Sequence, residues 1–161
     1  MNGWKQAARD ALVSGSMASI TSTAALMACG DAEIGRPLAP TNAVGHWFFG
    51  DRATREDHFR WPDTIVGYVT HHAAAVFWAL WYEKLFGAQR AVASPAKALA
   101  DAGAVAALAC FVDYRLTPRR LMPGYERRLS RRSLAAVYTA FAAGLALGGA
   151  LLSLAPAMRR R

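Results

Sequence analysis

Three long stretches of this chain carry no charged residue: Ala11 to Gly30, Thr64 to Tyr82 and Ser133 to Met158. A helix rises 1.5 Å per residue, so roughly 20 apolar residues cross a hydrocarbon layer about 30 Å thick. All three stretches meet that length. A fourth, Ala98 to Val112, is interrupted by Asp101, but Lys97 precedes it by four residues and can pair with it on one helical face. An up-down bundle needs a return crossing. The prediction is therefore an all-α integral membrane protein, a four-transmembrane-helix bundle with spans at about 11–29, 64–83, 96–114 and 134–156, forming one membrane domain over 1–161.

The composition agrees and excludes several classes. Hydrophobic residues make up 54% and charged residues 19%, against a formal charge of +8. Intrinsic disorder requires low hydrophobicity. Two cysteines are too few for a disulfide-dense scaffold or a four-thiolate zinc module.

The first span is diluted by serine and threonine, and Leu26-Met27-Ala28-Cys29 resembles a lipoprotein processing box, so a lipidated Cys29 is a rival to a retained helix. Asp10 spoils the basic leader that such a signal needs. The retained helix uses its small residues for packing: Gly15 and Ser19 fall four apart, as do Gly144 and Gly148 in the fourth span, where helices can approach closely in lipid. The Gly144–Gly148 pair serves either packing inside the bundle or a homodimer face on the fourth span.

With four alternating spans, both termini and the 84–97 connection share a terminal side, and the loops 31–63 and 113–132 share a loop side. Lysine and arginine number eight on the terminal side and eleven on the loop side, which does not fix orientation under the positive-inside rule. The arginines Arg119, Arg120, Arg127, Arg128, Arg131 and Arg132 are expected on anionic lipid headgroups. Nucleic acid is not an expected partner, because Tyr125 is the only aromatic residue among them. In the first long loop, residues 41–49 are predicted as a short interfacial helix, with Thr41 as its N-cap and Ala43, Val44, Trp47 and Phe48 on one face. The mixed-charge run Asp51 to Arg60, with His58 in it, is expected to be solvated.

Polar groups inside a span are expensive and usually face the bundle interior. His71 and His72 stand in the second span, about 10 Å in from Thr64. Depth groups them with His46, Tyr68, Asp113, Tyr114 and Tyr138 in the loop-side third of the bilayer. His46, His71, His72 and Asp113 are the candidate ligands of a transition metal, and two of the histidines could ligate a haem. A proton relay or simple hydrogen bonding between helices uses the same residues. Cys29 and Cys110 reach the same side, either as free thiols or as a disulfide if that side faces the periplasm. No HExxH, Walker A, GxSxG or GxGxxG pattern is present, so a conventional enzyme site is unsupported.

Three segments, Asn42-Ala-Val-Gly-His-Trp-Phe-Phe-Gly-Asp51, Gly67-Tyr-Val-Thr-His-His-Ala-Ala-Ala-Val-Phe-Trp78 and Asp113-Tyr-Arg-Leu-Thr-Pro-Arg-Arg-Leu-Met-Pro-Gly-Tyr-Glu126, resemble those of small uncharacterised bacterial multi-pass inner-membrane proteins. The resemblance implies a helical protein of the bacterial inner membrane and carries over no catalytic or binding residue. The leading expectation is a binding or assembly component with a His-rich polar site in one bilayer third. Its alternatives are a haem- or metal-binding redox or intramembrane enzyme and a small proton-coupled transporter acting as a homo-oligomer.

Overall fold

The computed structural model describes residues 2–89 and 93–158; Arg90 and the three C-terminal arginines, counted above toward the terminal side, lie outside them. Among the described residues all regular structure is helical: α1 (Trp4–Ile34), α2 (Ala39–Val44), α3 (His46–Phe49), α4 (Trp61–Phe86), α5 (Pro95–Phe111) and α6 (Arg131–Met158). One π-helical turn, Val112–Leu116, continues α5.

Among the described residues three helices are long and apolar enough to cross a membrane: Trp4–Ile34, Pro95–Leu116 and Arg131–Leu154. The stretch that looked weakest in the sequence, around Asp101, is therefore among them. Its charge sits in the first turns of α5, where Lys97 Nζ meets Asp101 Oδ2 at 2.8 Å. The run Thr64–Tyr82 is not among the three. Its helix, α4, has 26 residues, or about 39 Å of length, but the rings of Tyr68, His71, His72, Trp78 and Trp81 lower its hydropathy.

α1 is the central helix, with α4 along one flank and α6 along the other. Both run antiparallel to it. Lys84 Nζ near the end of α4 donates to Asn2 O at 2.6 Å, and Trp81 meets the Trp4 ring edge-on, centroids 5.8 Å apart. On the other flank Thr21 Oγ1 lies 2.8 Å from Ala140 O. The close approach depends on missing side chains. A Cβ built on Gly144 would stand 2.5 Å from Ala18 Cα and 2.7 Å from Met17 O, and one on Gly148 would collide with Ser14. One on Gly15 would stand 2.7 Å from Val76 Cα of α4, and Ser19 is fully buried beside it. The Gly144–Gly148 face is thus occupied by α1 of the same chain, and a homodimer built on that face would have to displace α1.

The polarity of α1 is inside out. Ser14, Ser19 and Ser22 are buried, while Leu12, Val13 and Ile20 are exposed. A surface helix in water shows the reverse. Four hydroxyls of α1, on Ser14, Ser16, Thr21 and Ser22, bond back to a carbonyl one turn earlier, whereas those of Ser19 and Thr23 are buried without a hydrogen bond.

The loop side is capped by folded polypeptide, which corrects two expectations. Residues 41–49 do not form one helix: α2 and α3 join at Gly45. Pro40 takes the first-turn position, so the helix begins at Ala39 and Thr41 is inside it rather than at its N-cap. α2 is buried throughout, Ala43 and Val44 included, whereas Trp47 and Phe48 are exposed. The run 51–60 is not freely solvated either. Arg127 Nη1 pairs with Asp51 Oδ1 at 2.6 Å and Arg128 pairs with Asp57, so the run docks on the second loop. Asn42, fully buried, holds the same segment from within: its Nδ2 donates to Glu56 O at 3.1 Å and His58 O at 2.8 Å, and its Oδ1 accepts from Thr64 Oγ1 at 2.7 Å. Asp63, also fully buried, accepts from Arg52 at 3.0 Å. Glu33 at the end of α1 accepts from Ser130 N at 2.8 Å and from Ser130 Oγ and Ser133 Oγ, each at 2.5 Å. It places a carboxylate at the positive end of α6, where the helix dipole favours it.

The Asp51–Arg127 pair carries a pH signature. Arg127 donates a hydrogen bond and its charge to Asp51, and together these hold the carboxyl below its ordinary value of 3.8. A folded-state pKa below the unfolded one stabilises above the unfolded value and loses that contribution as pH falls through the folded one. Acidification from pH 7 to 5 is therefore expected to leave the docking of 51–60 intact, with release only below about pH 4. Tryptic cleavage of samples equilibrated at each pH and returned briefly to neutral conditions in a pulse would check this, and Asp51→Asn should lose the pH dependence.

Candidate functional site

α5 packs chiefly on α6 and meets α4 less closely. The gap is a groove of about 640 Å3, closed toward the loop side by α3 and the second loop. Its deeper walls are apolar, from Ala74 and Trp78 of α4 to Phe141 of α6. Val69 and Phe77 on its lip are 57% and 53% exposed, so the groove opens sideways, onto the same apolar outer surface that α1 and α6 present. Trp47 Nε1 donates to Met122 O at 2.9 Å and ties the two capping loops together beside the entrance.

Polar groups gather at the loop-side end. Tyr125 OH donates to Tyr138 OH at 3.3 Å, and Tyr138 OH donates to Asp113 Oδ2 at 2.5 Å. The Tyr114 ring packs edge-on against Tyr138, centroids 6.1 Å apart. His71 meets the Tyr125 ring edge-on at 6.3 Å, and its Nε2 lies 2.8 Å from Ser22 Oγ. Ser22 Oγ also reaches Ala18 O at 2.7 Å; with its one proton on that carbonyl, His71 Nε2 donates and Nδ1 accepts in the neutral ring. Burial pushes the Tyr125 phenol above its ordinary range, so it remains a protonated donor at any physiological pH.

Of the residues grouped by depth, His71, Asp113, Tyr114 and Tyr138 do meet at this place. His46 does not join them, because its Nδ1 donates to Ala43 O of its own segment at 2.9 Å. His72 faces Tyr68, ring centroids 6.0 Å apart. Adjacent residues on a helix point about 100° apart, so one helix directs His71 and His72 to different surroundings. Among the described residues no three His, Cys, Asp or Glu side chains form a group able to hold a metal ion. Cys29 and Cys110 are both free.

The six loop-side arginines divide. Arg127 and Arg128 are engaged with Asp51 and Asp57, while Arg119, Arg120, Arg131 and Arg132 are exposed. Sequence reasoning missed Tyr125 and Ser22. Tyr125 is a lone aromatic in a basic loop, and its signal was the preceding Pro123-Gly124. Gly124 has φ +97°, and a Cβ there would stand 2.7 Å from His46 Nδ1. Only glycine turns the chain so tightly against α2 and α3, and that turn drives Tyr125 into the bundle.

Comparison with protein-family models, with curated proteins and with solved structures finds no match to this chain. Its class therefore rests on its own architecture: among the described residues all regular structure is helical, and three helices are long and apolar enough to cross a membrane.

Proposed function

We propose that the chain is a four-span protein of the bacterial inner membrane that binds a small apolar or amphipathic molecule in the α4–α5 groove. It acts as a binding component rather than as a conventional enzyme. The observation that carries this is the groove itself: apolar walls, an opening onto an apolar outer surface, and a hydrogen-bonded polar end supplied by three long helices and the capping loop. Ligand sites of this size typically combine mostly apolar walls with a few convergent polar groups. α4 counts as the fourth span because it lies antiparallel along α1 from Lys84–Asn2 at one end to His71–Ser22 toward the other, which gives it the same depth as a helix able to cross. Arg119, Arg120, Arg131 and Arg132 then rest on anionic headgroups at the loop-side surface.

Two measurements test this. Trp47 and Trp78 line the groove, so a variant with Trp4, Trp61 and Trp81 changed to phenylalanine reports on it alone. In nanodiscs, 12-bromododecanol is expected to quench that fluorescence saturably, and Ala74→Phe, which fills the groove, to abolish the saturable part. Quenching that rises linearly with probe concentration in both proteins would overturn the groove as a site. For topology, single cysteines at 58 and 88 in a Cys29→Ser, Cys110→Ser background should label from opposite faces of spheroplasts; labelling from one face would remove α4 as a span.

A further inference from the structure

The polar end of the groove is rich in acceptors and has no cation. Tyr125 commits its hydroxyl proton to Tyr138, and Tyr138 commits its own to Asp113. His71 Nε2 is engaged with Ser22 Oγ at 2.8 Å. What these groups offer to an occupant is lone pairs: the second carboxylate oxygen of Asp113, the Tyr125 oxygen and His71 Nδ1. Among the described residues no lysine, arginine or histidine forms an ion pair with Asp113, and Glu126, a second carboxylate, lies in the second loop next to Tyr125. Glu126 Oε2 is itself held by Gly124 N at 2.7 Å, so it is fixed on this side. A carboxylate near membrane depth is costly until something positive or a donor meets it. The walls add rings, Trp78 and Phe141 among them, whose faces attract a cation.

We propose that the groove takes an apolar amine, with its ammonium on Asp113 and its hydrocarbon body along Ala74, Trp78 and Phe141. This rests on the groove being a ligand site, as proposed above, and adds the chemical class of the ligand. The ammonium supplies N–H donors to an end rich in acceptors and positive charge to an unpaired carboxylate. Entry across the lip at Val69 and Phe77 keeps the cation clear of exposed Arg119 and Arg120.

The test uses the full chain in nanodiscs, with Trp47 and Trp78 as reporters and three probes of one chain length: 12-bromododecylamine, 12-bromododecanol and 12-bromododecyl sulfate. A charge-assisted hydrogen bond is worth roughly a factor of ten in affinity. The amine is therefore expected to bind about tenfold more tightly than the alcohol and the sulfate more weakly than either. Asp113→Asn keeps the shape and the acceptor for Tyr138 and is expected to bring amine and alcohol within about threefold. His71→Ala should leave the amine preference standing. The amine-to-alcohol ratio in the unaltered chain decides the matter even if Asp113→Asn does not fold. Equal binding of amine and alcohol, a preference for the sulfate, or an amine preference that survives Asp113→Asn would overturn the amine while leaving the groove as a site. Absence of saturable quenching by all three would overturn both.

Discussion

Replacing Gly144 with leucine is expected to lower the stability of the bundle by about 3 kcal/mol or more, at the upper end of overpacking effects. The atoms in the way are the Thr21 hydroxyl and, behind it, backbone. A Cβ there would meet Ala18 Cα and Met17 O, backbone of α1 that cannot give without parting two helices. Gly103 of α5 provides the internal control, since a Cβ on it would meet nothing within 4 Å. Gly103→Leu is expected to be neutral or slightly stabilising, because glycine in a helix interior costs roughly 0.5–1 kcal/mol relative to alanine. Reversible unfolding in mixed micelles, followed by circular dichroism, separates the two. Equal stabilities for both variants would mean that α1 and α6 do not pack as described. A shift from dimer to monomer without loss of stability would assign the stripe to a second copy of the chain instead.

The second large effect is expected at Asn42. Truncation to alanine deletes three hydrogen bonds in a fully buried place and leaves Glu56 O, His58 O and the Thr64 hydroxyl without their partner. Each stranded polar group costs about 1–3 kcal/mol, so a loss near 3 kcal/mol is expected, concentrated where the loop meets α2 and α4. Local release should appear first, as faster tryptic cleavage after Arg52, Arg55 or Arg60. His58→Ala removes an exposed side chain but keeps the carbonyl that Asn42 uses, and should cleave no faster than the unaltered protein. Unchanged cleavage in Asn42→Ala would show that the ion pairs to Arg127 and Arg128 hold the loop unaided.

The helical class and the small-residue contacts were legible because they are written in one dimension: the spacing of Gly15 and Ser19, and of Gly144 and Gly148, is enough to mark a face. Depth along a helix was legible in the same way, and it brought His71, Asp113 and Tyr138 to one level before any coordinates. Direction around the helix axis was not legible, and it separates His72 from His71. The capping loops were the least readable part. A run such as Asp51 to Arg60 looks solvated because it is charged, and only its partners at Arg127 and Arg128, more than 70 residues away, make it structure. Counting charge-free residues ranked α4 above α5, and length with mean hydropathy ranks them the other way. Hydropathy counts a ring nitrogen or an aspartate as equally unwelcome wherever it falls, although Asp101 lies beside Lys97 near a helix end and the α4 rings lie against α1 and the groove.

The central place of α1 has a consequence for how the protein is made. α1 is made before α6, and its contact with it, Thr21 on Ala140, joins residues 119 apart in the chain. At about 5–20 residues per second, α1 waits roughly 6 to 24 s before its second neighbour exists. On the four-span reading proposed above, hydroxyls left without partners in lipid for that long would favour expulsion of the helix. The back-bonds of Ser14, Ser16, Thr21 and Ser22 to their own helix let those four hydroxyls wait satisfied, so a helix of such modest hydropathy can be held until the partner that needs its narrow face has been synthesised.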